Sequence, residues 1–261
     1  MPSETTYTIR VAGHLDDPAL EEFAPTRDGD DAMTLTVTVA DQAQLHGVLA
    51  RLRDSGAVLA ELRTTPVAAP PPALERPLHT ERLTLRSVTV ADAEAVWRYR
   101  RLASVAEWLT GSAGDLDRFR ASFADPDRLG TTIVIEEGHA ADAPVIGDLM
   151  LRRGDAWAQT EVADRARGVE AELGWVLDPA FTGHGYATEA VRELVRHCFE
   201  DLGPHRVTAN CFLENDASWR LMERLGMRRE MHTRRESLHR SGRWLDGLGY
   251  AILDDEWPPP A

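Results

Sequence analysis

Two glycines that flank a histidine lie directly before a predicted helix. Gly183, His184 and Gly185 follow an apolar run that ends at Asp178 and Pro179. Glycine allows a tight turn in which backbone N–H groups can approach a ligand. The first turn of a helix adds unpaired N–H groups and the positive end of the helix dipole, and both favour phosphate. The spacing predicts an anion-binding turn between a strand and a helix, although a tight turn without a ligand would show the same local pattern.

The helix after this turn is predicted to bury one face. Its apolar residues are Ala187, Ala190, Val191, Leu194, Val195, Cys198, Phe199 and Leu202. Their spacing of three and four residues is typical of a helix packed against a core. Gly203 and Pro204 predict its end, because glycine is favoured just beyond a helix and proline cannot continue one.

Composition narrows the function classes. The 261 residues carry a net charge of −14, which argues against a nucleic-acid partner, since such proteins need a basic face. Cys198 and Cys211 are interpreted as small core residues in a reducing compartment, and neither has a nearby metal-ligand partner, so no metal is predicted. We find no signal peptide and no apolar run approaching the roughly 18 residues of a membrane span. We therefore expect a soluble, cytoplasmic protein with no membrane partner.

Residues 1–65 predict a small α+β module in which we recognise no catalytic constellation. Its predicted elements are strands over Thr6–Ala12, Met33–Val39 and Val58–Leu62, with helices over Asp16–Phe23 and Gln42–Asp54 and a turn at Asp28-Gly29. We interpret the module as an interaction or regulatory unit. Residues 66–77 are rich in proline and alanine and predict a semi-stiff linker.

Residues 78–257 predict a larger α+β domain. Its predicted elements are, in order, a strand over His79–Val88, a helix capped by Thr89, a helix over Asp115–Phe123, strands over Thr131–Glu136, Pro144–Arg152 and Val169–Leu177, the helix described above, a strand over Arg206–Cys211, a helix over Glu214–Gly226 and a closing hairpin over Met227–Leu253.

Four segments of this domain resemble the GNAT acetyltransferases in order and spacing. They are the pyrophosphate loop at Thr182–Ala187, the pantetheine-binding strand at Ala171–Leu177, the Asn and Gly-Met signature at Glu214–Met227, and a closing hairpin at Ser241–Tyr250. The hairpin resembles the branch that contains the ribosomal-protein N-terminal alanine and serine acetyltransferases. Gly185 and Ala187 match the loop motif, whereas Thr182 stands where Gln or Arg is usual. The resemblance implies an α+β fold with a GNAT-like mixed central sheet flanked by helices.

The resemblance also implies the co-substrate acetyl-CoA and the residues that hold it, mainly through backbone groups. The implied cofactor-binding residues are Val176, Leu177, Thr182, Gly183, His184, Gly185, Tyr186, Ala187 and Asn215. The alternative role of Asn215 is a helix cap.

Direct acetyl transfer to an uncharged amine needs a base, a donor for the developing oxyanion and an acid for the departing thiolate. Many family members use a Tyr as the acid, but the corresponding residue here is Met222, which cannot donate a proton. In the resembling branch a Ser three residues after the Asn is the proposed acid, which corresponds to Ser218. We predict Glu172 as the base, with Glu170 second; a solvated strand glutamate is the alternative.

The resemblance therefore implies an N-acetyltransferase that acts on a primary amine, either a protein N-terminus or a small molecule, with a homodimer possible. A non-catalytic acyl-CoA sensor with the N-terminal module as its output is the alternative. A dinucleotide-binding oxidoreductase is disfavoured because the glycine turn comes late in the domain and lacks the third glycine.

Overall fold

The computed structural model divides the chain into two compact units, residues 1–69 and residues 70–261. It describes residues 5–12, 26–27, 32–39, 42–64 and 73–258. The predicted helix Asp16–Phe23 and the predicted turn at Asp28-Gly29 lie outside these residues. None of the described helices is long and apolar enough to span a membrane.

The first unit is an antiparallel sheet that packs against a helix. Its elements are β1 (Thr5–Ala12), β2 (Thr26–Arg27), β3 (Ala32–Val39), α1 (Gln42–Asp54) and β4 (Val58–Thr64), with the strand order β2-β3-β1-β4. Alternate residues of β3 are buried, as the alternating sequence predicts. They share a core with Leu45, Val48 and Leu52 of α1. The predicted strands and the predicted α1 helix of this unit are confirmed.

The second unit is built on an eight-stranded mixed sheet. Its strands are β5 (Leu78–His79), β6 (Leu83–Ser87), β7 (Thr132–Glu137), β8 (Val145–Gly154), β9 (Glu170–Leu177), β10 (Arg206–Phe212), β11 (Arg228–Leu238) and β12 (Trp244–Leu253), in the order β11-β12-β10-β9-β8-β7-β6-β5. Its helices are α2 (Ala93–Arg100), α3 (Ala103–Ala106), α4 (Leu116–Phe123), α5 (Pro126–Thr131), α6 (Tyr186–His197) and α7 (Asp216–Arg224). Only β9 and β10 pair in parallel within the described sheet. The predicted fold class is confirmed.

Helices cover both faces of this sheet, because successive residues of a strand point to opposite sides. In β7, Ile133 and Ile135 share a core with Leu194 of α6. Val134, between them, joins a separate core with Val96 of α2 and Phe123 of α4 and so points to the other face.

Three features of the second unit differ from the sequence predictions. The strand expected over His79–Val88 is two strands, because the Thr80 N–H donates to the Leu83 carbonyl at 3.0 Å and closes a turn. The short helices α3 and α5 were not predicted. Helix α5 begins directly after Asp125, just beyond the end of α4, because the Asp125 carboxylate accepts the N–H groups of Asp127 and Arg128.

Leu74, which the sequence prediction assigned to the linker, packs into the second unit. It is buried in the main core. Its N–H donates to the Ser87 hydroxyl at 2.8 Å, and that hydroxyl donates to the Leu74 carbonyl at 2.9 Å.

The two parallel strands separate soon after they begin to pair. Residues 206–208 of β10 pair with residues 170–172 of β9, and no further pair between them occurs in the described sheet. The rest of β10 pairs only with β12. One edge of β9, from Leu173 to Leu177, is therefore open and forms one side of a cleft.

Helix α6 begins and ends at glycines, as predicted. Gly185 caps its start with a φ of 82°, and Gly203 follows its end with a φ of 70°. Residues other than glycine rarely adopt these left-handed values. A π-helical turn, Cys198–Leu202, continues α6 beyond His197, and Gly203 ends this whole helical segment.

Candidate active site

The turn before α6 presents a row of unused backbone donors. Gly183 and Gly185 have φ values of 84° and 82°, which turn the chain sharply into the helix. The six N–H groups of residues 183–188 have no acceptor within the described part of the chain. The first backbone bond of the helix comes later, from the Glu189 N–H to the Gly185 carbonyl at 3.0 Å. Unpaired N–H groups at a helix start, together with the helix dipole, form a site for an anion such as a pyrophosphate.

Arg82, just before β6, contacts this turn and the first turn of α6. Its Nε donates to Oε2 of Glu189 at 2.8 Å, and its Nη1 donates to the His184 carbonyl at 3.1 Å. The guanidinium also lies 4.5 Å from the centre of the Tyr186 ring. The Thr80 hydroxyl donates to the same carboxylate at 2.5 Å. These contacts position the loop and neutralise a carboxylate that would otherwise repel an anion at the helix start.

The pKa values of Glu189 and Tyr186 follow from the hydrogen bonds that each side chain makes. Partial burial alone would raise the pKa of Glu189, but hydrogen bonds from Thr80 and Arg82 outweigh it and place the pKa below the usual 4.5. The Tyr186 hydroxyl donates to Glu137 at 2.5 Å, and this bond raises the pKa of Tyr186. At neutral pH Glu189 is therefore a carboxylate that accepts hydrogen bonds from the cationic Arg82 and the neutral Thr80.

The open edge of β9 offers backbone groups to the cleft, but not those of Val176. The Asp178 N–H donates to the Ile146 carbonyl at 2.8 Å, which continues the antiparallel register in which Gly147 is opposite Leu177 and Asp148 is opposite Val176. Because residues in such a ladder alternate in direction, the backbone groups of Val176 point to β8. Those of Trp175 and Leu177 point to the cleft. Of the two residues predicted to offer backbone groups to the pantetheine arm, Leu177 thus faces the cleft and Val176 faces β8; Trp175 faces the cleft as well.

Strands β9 and β10, the loop and α7 enclose a cleft of about 840 Å³. The predicted cofactor-binding residues that line it are Val176, Leu177, Thr182, Gly183, Gly185, Tyr186, Ala187 and Asn215. The side chain of His184 is exposed and its ring lies 5.8 Å from that of Tyr186, outside the cleft wall. The Thr182 hydroxyl donates to the Pro179 carbonyl at 2.9 Å, so it is already engaged within the turn.

Asn215 and Ser218 lie together at the start of α7. The Asn215 side chain caps the helix by accepting the Ser218 N–H at 3.4 Å, and both residues line the cleft. The Ser218 hydroxyl has no hydrogen-bond partner among the residues that the structure describes. Met222, one turn later, is only 1 % exposed and belongs to the main core. Of Ser218 and Met222, it is therefore Ser218 that can donate a proton to a molecule in the cleft.

Glu172 lies where β9 and β10 separate, beside the cleft rather than in its wall. Its carboxylate pairs with Arg152 on β8 at 3.2 Å and accepts the Asn210 side-chain amide at 3.3 Å. Its side chain is 37 % exposed, so water reaches it. Glu170, the second choice for a base, pairs with Arg206 at 3.5 Å and does not line the cleft. Neither glutamate lines the cleft, but Glu172 contacts Asn210, which does.

A buried ion pair in the cleft wall was missed by sequence reasoning. Asp148 on β8 is only 2 % exposed and accepts the Tyr99 hydroxyl at 2.6 Å and the Arg100 Nε at 3.0 Å. A second nitrogen of Arg100 also donates to it. Burial and the Asp148 charge raise the pKa of Tyr99 well above 10.0, so this hydroxyl stays protonated. The available sequence signal was a charged residue inside an otherwise apolar strand, because buried carboxylates are rare unless paired.

Cys198 and Cys211 differ in position. Cys198 is buried in the core as predicted, whereas Cys211 is only half-buried: it packs against the same core and also lines the cleft. Burial raises the pKa of Cys198 to about 12 and that of Cys211 to about 11, which leaves both thiols neutral at physiological pH. No three His, Cys, Asp or Glu side chains of the described residues are grouped as ligands for a metal ion.

A family model described as an acetyltransferase (GNAT) domain matches residues 82–228, more than half of the chain. A second model, described as a domain of unknown function, matches residues 6–63. The chain is 30 % identical over 179 residues to the uncharacterized N-acetyltransferase YnaD of Bacillus subtilis, a match that covers 68 % of this chain and 97 % of that protein.

Two solved structures are similar to the second unit. One is Mycobacterium smegmatis RimJ in complex with CoA-disulfide, with a TM-score of 0.54 and 25 % identity over 67 % of this chain and 84 % of that one. The other is the ribosomal-protein-S5-alanine acetyltransferase of Vibrio fischeri, with a TM-score of 0.57, 17 % identity and coverage of 71 % and 100 %; at this identity the likeness shows the fold alone. Because the family model spans the loop, the open strand edge and the cleft described above, the chain belongs to the GNAT family of acetyl-CoA-dependent acetyltransferases.

Proposed function

We propose that the protein transfers an acetyl group from acetyl-CoA to a primary amine, on a small molecule or a protein N-terminus. The observation that carries this proposal is the meeting, in one cleft, of the free N–H groups of residues 183–188 and the open edge of β9. The free N–H groups suit a pyrophosphate, and the open strand edge suits the amide groups of a pantetheine arm, which can hydrogen-bond to it as a further strand would.

The residues present fit acetyl-CoA. The loop N–H groups would hold the pyrophosphate, and the backbone groups of Trp175 and Leu177 would hold the pantetheine arm. Asn215 caps α7 and also lines the cleft, so it can serve both roles. When bound, acetyl-CoA supplies an acyl group activated as a thioester.

The chemistry needs two proton transfers, one from the amine to this chain and one from this chain to the thiolate. As the amine nitrogen forms a bond to the acyl carbon, the carbon–sulfur bond breaks and the amine must lose one proton. We assign that proton to Glu172 through water, because its carboxylate is partly exposed beside the cleft. We assign the proton for the thiolate to the Ser218 hydroxyl, which is free in the cleft wall and regains its proton from solvent. Asp148 is a poorer base, since its carboxylate is only 2 % exposed and accepts hydrogen bonds from Tyr99 and from two nitrogens of Arg100.

A non-catalytic acyl-CoA sensor is the alternative. Two observations favour it: Met222 is a buried apolar residue where many relatives place an acid, and the Thr182 hydroxyl is engaged with Pro179. In this case the N-terminal unit would be the output, and a homodimer stays a prediction under either function.

Incubation of the purified chain with acetyl-CoA and a panel of primary amines separates the two functions. We expect amine-dependent release of CoA, measured with a thiol reagent, and an acetylated product by mass spectrometry. Saturable acetyl-CoA binding without amine-dependent CoA release across small amines and peptides would support the sensor and contradict the transferase.

A further inference from the structure

A second cavity of about 750 Å³ adjoins the acetyl-CoA cleft. The walls of the two cavities share Arg100, Leu109, Thr110, Asp148 and Met150. The remaining wall of the second cavity comes mainly from the segment 111–132, which contains α4 and α5. A molecule that lies in this cavity can therefore reach the cleft along Asp148 and Met150 of β8.

The arginines in the wall of this cavity differ in their partners. Arg100 is paired with the buried Asp148, and Arg152 is paired with Glu172 at 3.2 Å. The guanidinium of Arg128 has neither a carboxylate within salt-bridge distance nor a hydrogen-bond acceptor among the described residues. Asp127 also lines the cavity but is exposed. Arg128 is thus the half-buried cation in this wall whose donors are unused.

Two aromatic rings hold this guanidinium in place. It lies 4.9 Å from the centre of the Phe119 ring and 4.8 Å from that of Phe123, both on α4. Burial lowers the pKa of Arg128, and the nearby charge of Arg100 lowers it further, while the charges of Asp148 and Asp125 offset these effects only in part. Together with the absence of a carboxylate at salt-bridge distance among the described residues, this indicates a positive charge that its surroundings balance incompletely. A bound anion would balance it, and a guanidinium can bind a carboxylate through two parallel N–H donors.

We propose that this second cavity is the acceptor site and that Arg128 binds a carboxylate carried by the acceptor amine. The acceptor class is therefore a molecule that holds a primary amine and a carboxylate, such as a free amino acid or a peptide with an acidic residue near its N-terminus. Its amine would reach the cleft beside Ser218 while its carboxylate pairs with Arg128. This inference rests on the proposed acetyl transfer.

A homologous series of ω-amino acids tests the inference, each compared with its own carboxamide. Peptides with Asp or Glu as the second residue are compared with the same peptides carrying Asn or Gln there. This comparison distinguishes a carboxylate on a peptide side chain from the carboxylate of a free amino acid. For at least one acid we expect a kcat/KM at least about tenfold above that of its amide, the effect of one charge-assisted contact. Arg128→Gln should remove this preference, because kcat/KM for the acids should fall more than kcat/KM for the amides. Arg128→Lys should restore part of it.

The control is Arg118→Gln, which removes an exposed arginine of α4 that lines neither cavity; it should leave the preference unchanged. Equal kcat/KM values for acids and amides, or an equal loss for both in Arg128→Gln, would overturn the inference.

Calorimetric titration of the same acids into the CoA-saturated protein separates this inference from the proposed acetyl transfer. If the acids bind, lose affinity in Arg128→Gln and are not acetylated, only the proposed acetyl transfer is contradicted. If the acids bind equally well to the wild type and to Arg128→Gln, the inference is overturned even where acetylation occurs.

Discussion

Arg82 and Glu189 form a salt bridge across 107 residues of sequence that joins the start of β6 to the first turn of α6. The same guanidinium donates to the His184 carbonyl, so the pair sets the shape of the loop. We expect Arg82→Gln to raise the Kd for acetyl-CoA several-fold with kcat little changed, measured by calorimetry and steady-state kinetics. Arg192→Gln, an exposed residue of α6 with no partner among the described residues, is the control. Equal Kd values for the two variants would contradict this role.

The contribution of Glu189 to stability should depend on pH in one direction. Its folded-state pKa lies below the usual 4.5, so its stabilising contribution is complete above pH ~5 and is lost as the pH falls through the lowered value. We expect the difference in melting temperature between the wild type and Glu189→Gln to be constant from pH ~5 to ~8 and to shrink in more acidic buffer. A difference that grew with acidification would contradict the lowered pKa.

Gly185→Val should abolish acetyl-CoA binding. A side chain at a φ of 82° costs roughly 1–3 kcal/mol of strain, and relief of that strain would redirect the loop N–H groups away from the ligand. Gly203→Val is a matched control, because Gly203 has a similar φ of 70° at the other end of the same helix. Calorimetry should show lost binding for the first variant and near-normal binding for the second. Retained affinity in Gly185→Val would mean that the loop is not the pyrophosphate site.

Ser218→Ala should lower kcat about tenfold or more with the Kd for acetyl-CoA nearly unchanged, since it removes a proton donor and not a binding group. Ser104→Ala, which removes another hydroxyl from the cleft wall, should keep kcat. The measurement is kcat against acetyl-CoA affinity for both variants. An unchanged kcat in Ser218→Ala would leave protonation of the thiolate to another group or to water.

Asp148→Ala should destabilise the second unit strongly, because it leaves the positive charge of Arg100 in the cleft wall without its partner. Loss of one member of a buried ion pair typically costs about 3–5 kcal/mol. Urea unfolding followed by tryptophan fluorescence checks this, with Asp142→Ala as an exposed control that should change the free energy of unfolding by less than about 0.5 kcal/mol. Similar free energies for the two variants would show that the pair is not required for folding.

The sequence by itself determined the features that depend on local geometry. Gly185 before an amphipathic helix predicted a tight turn, because glycine adopts a left-handed φ such as the observed 82° with less strain than other residues. The alternation in β3 and the helical period in α6 predicted their buried faces, because strand and helix periods repeat within a few residues. The family and the fold class were predicted from the resemblance of four ordered segments of the second unit to the GNAT acetyltransferases.

The tertiary structure alone decided which distant residues meet. The contact between Arg82 and Glu189 and the pairing of Glu172 with Arg152 depend on strand register and on packing across the sheet, which no local pattern encodes. The same holds for Trp175, whose backbone faces the cleft only because of the register between β8 and β9. Arg128 was one arginine among many in the sequence. Its stacking on α4 beside the cleft exists only once β8 and the helices are packed together.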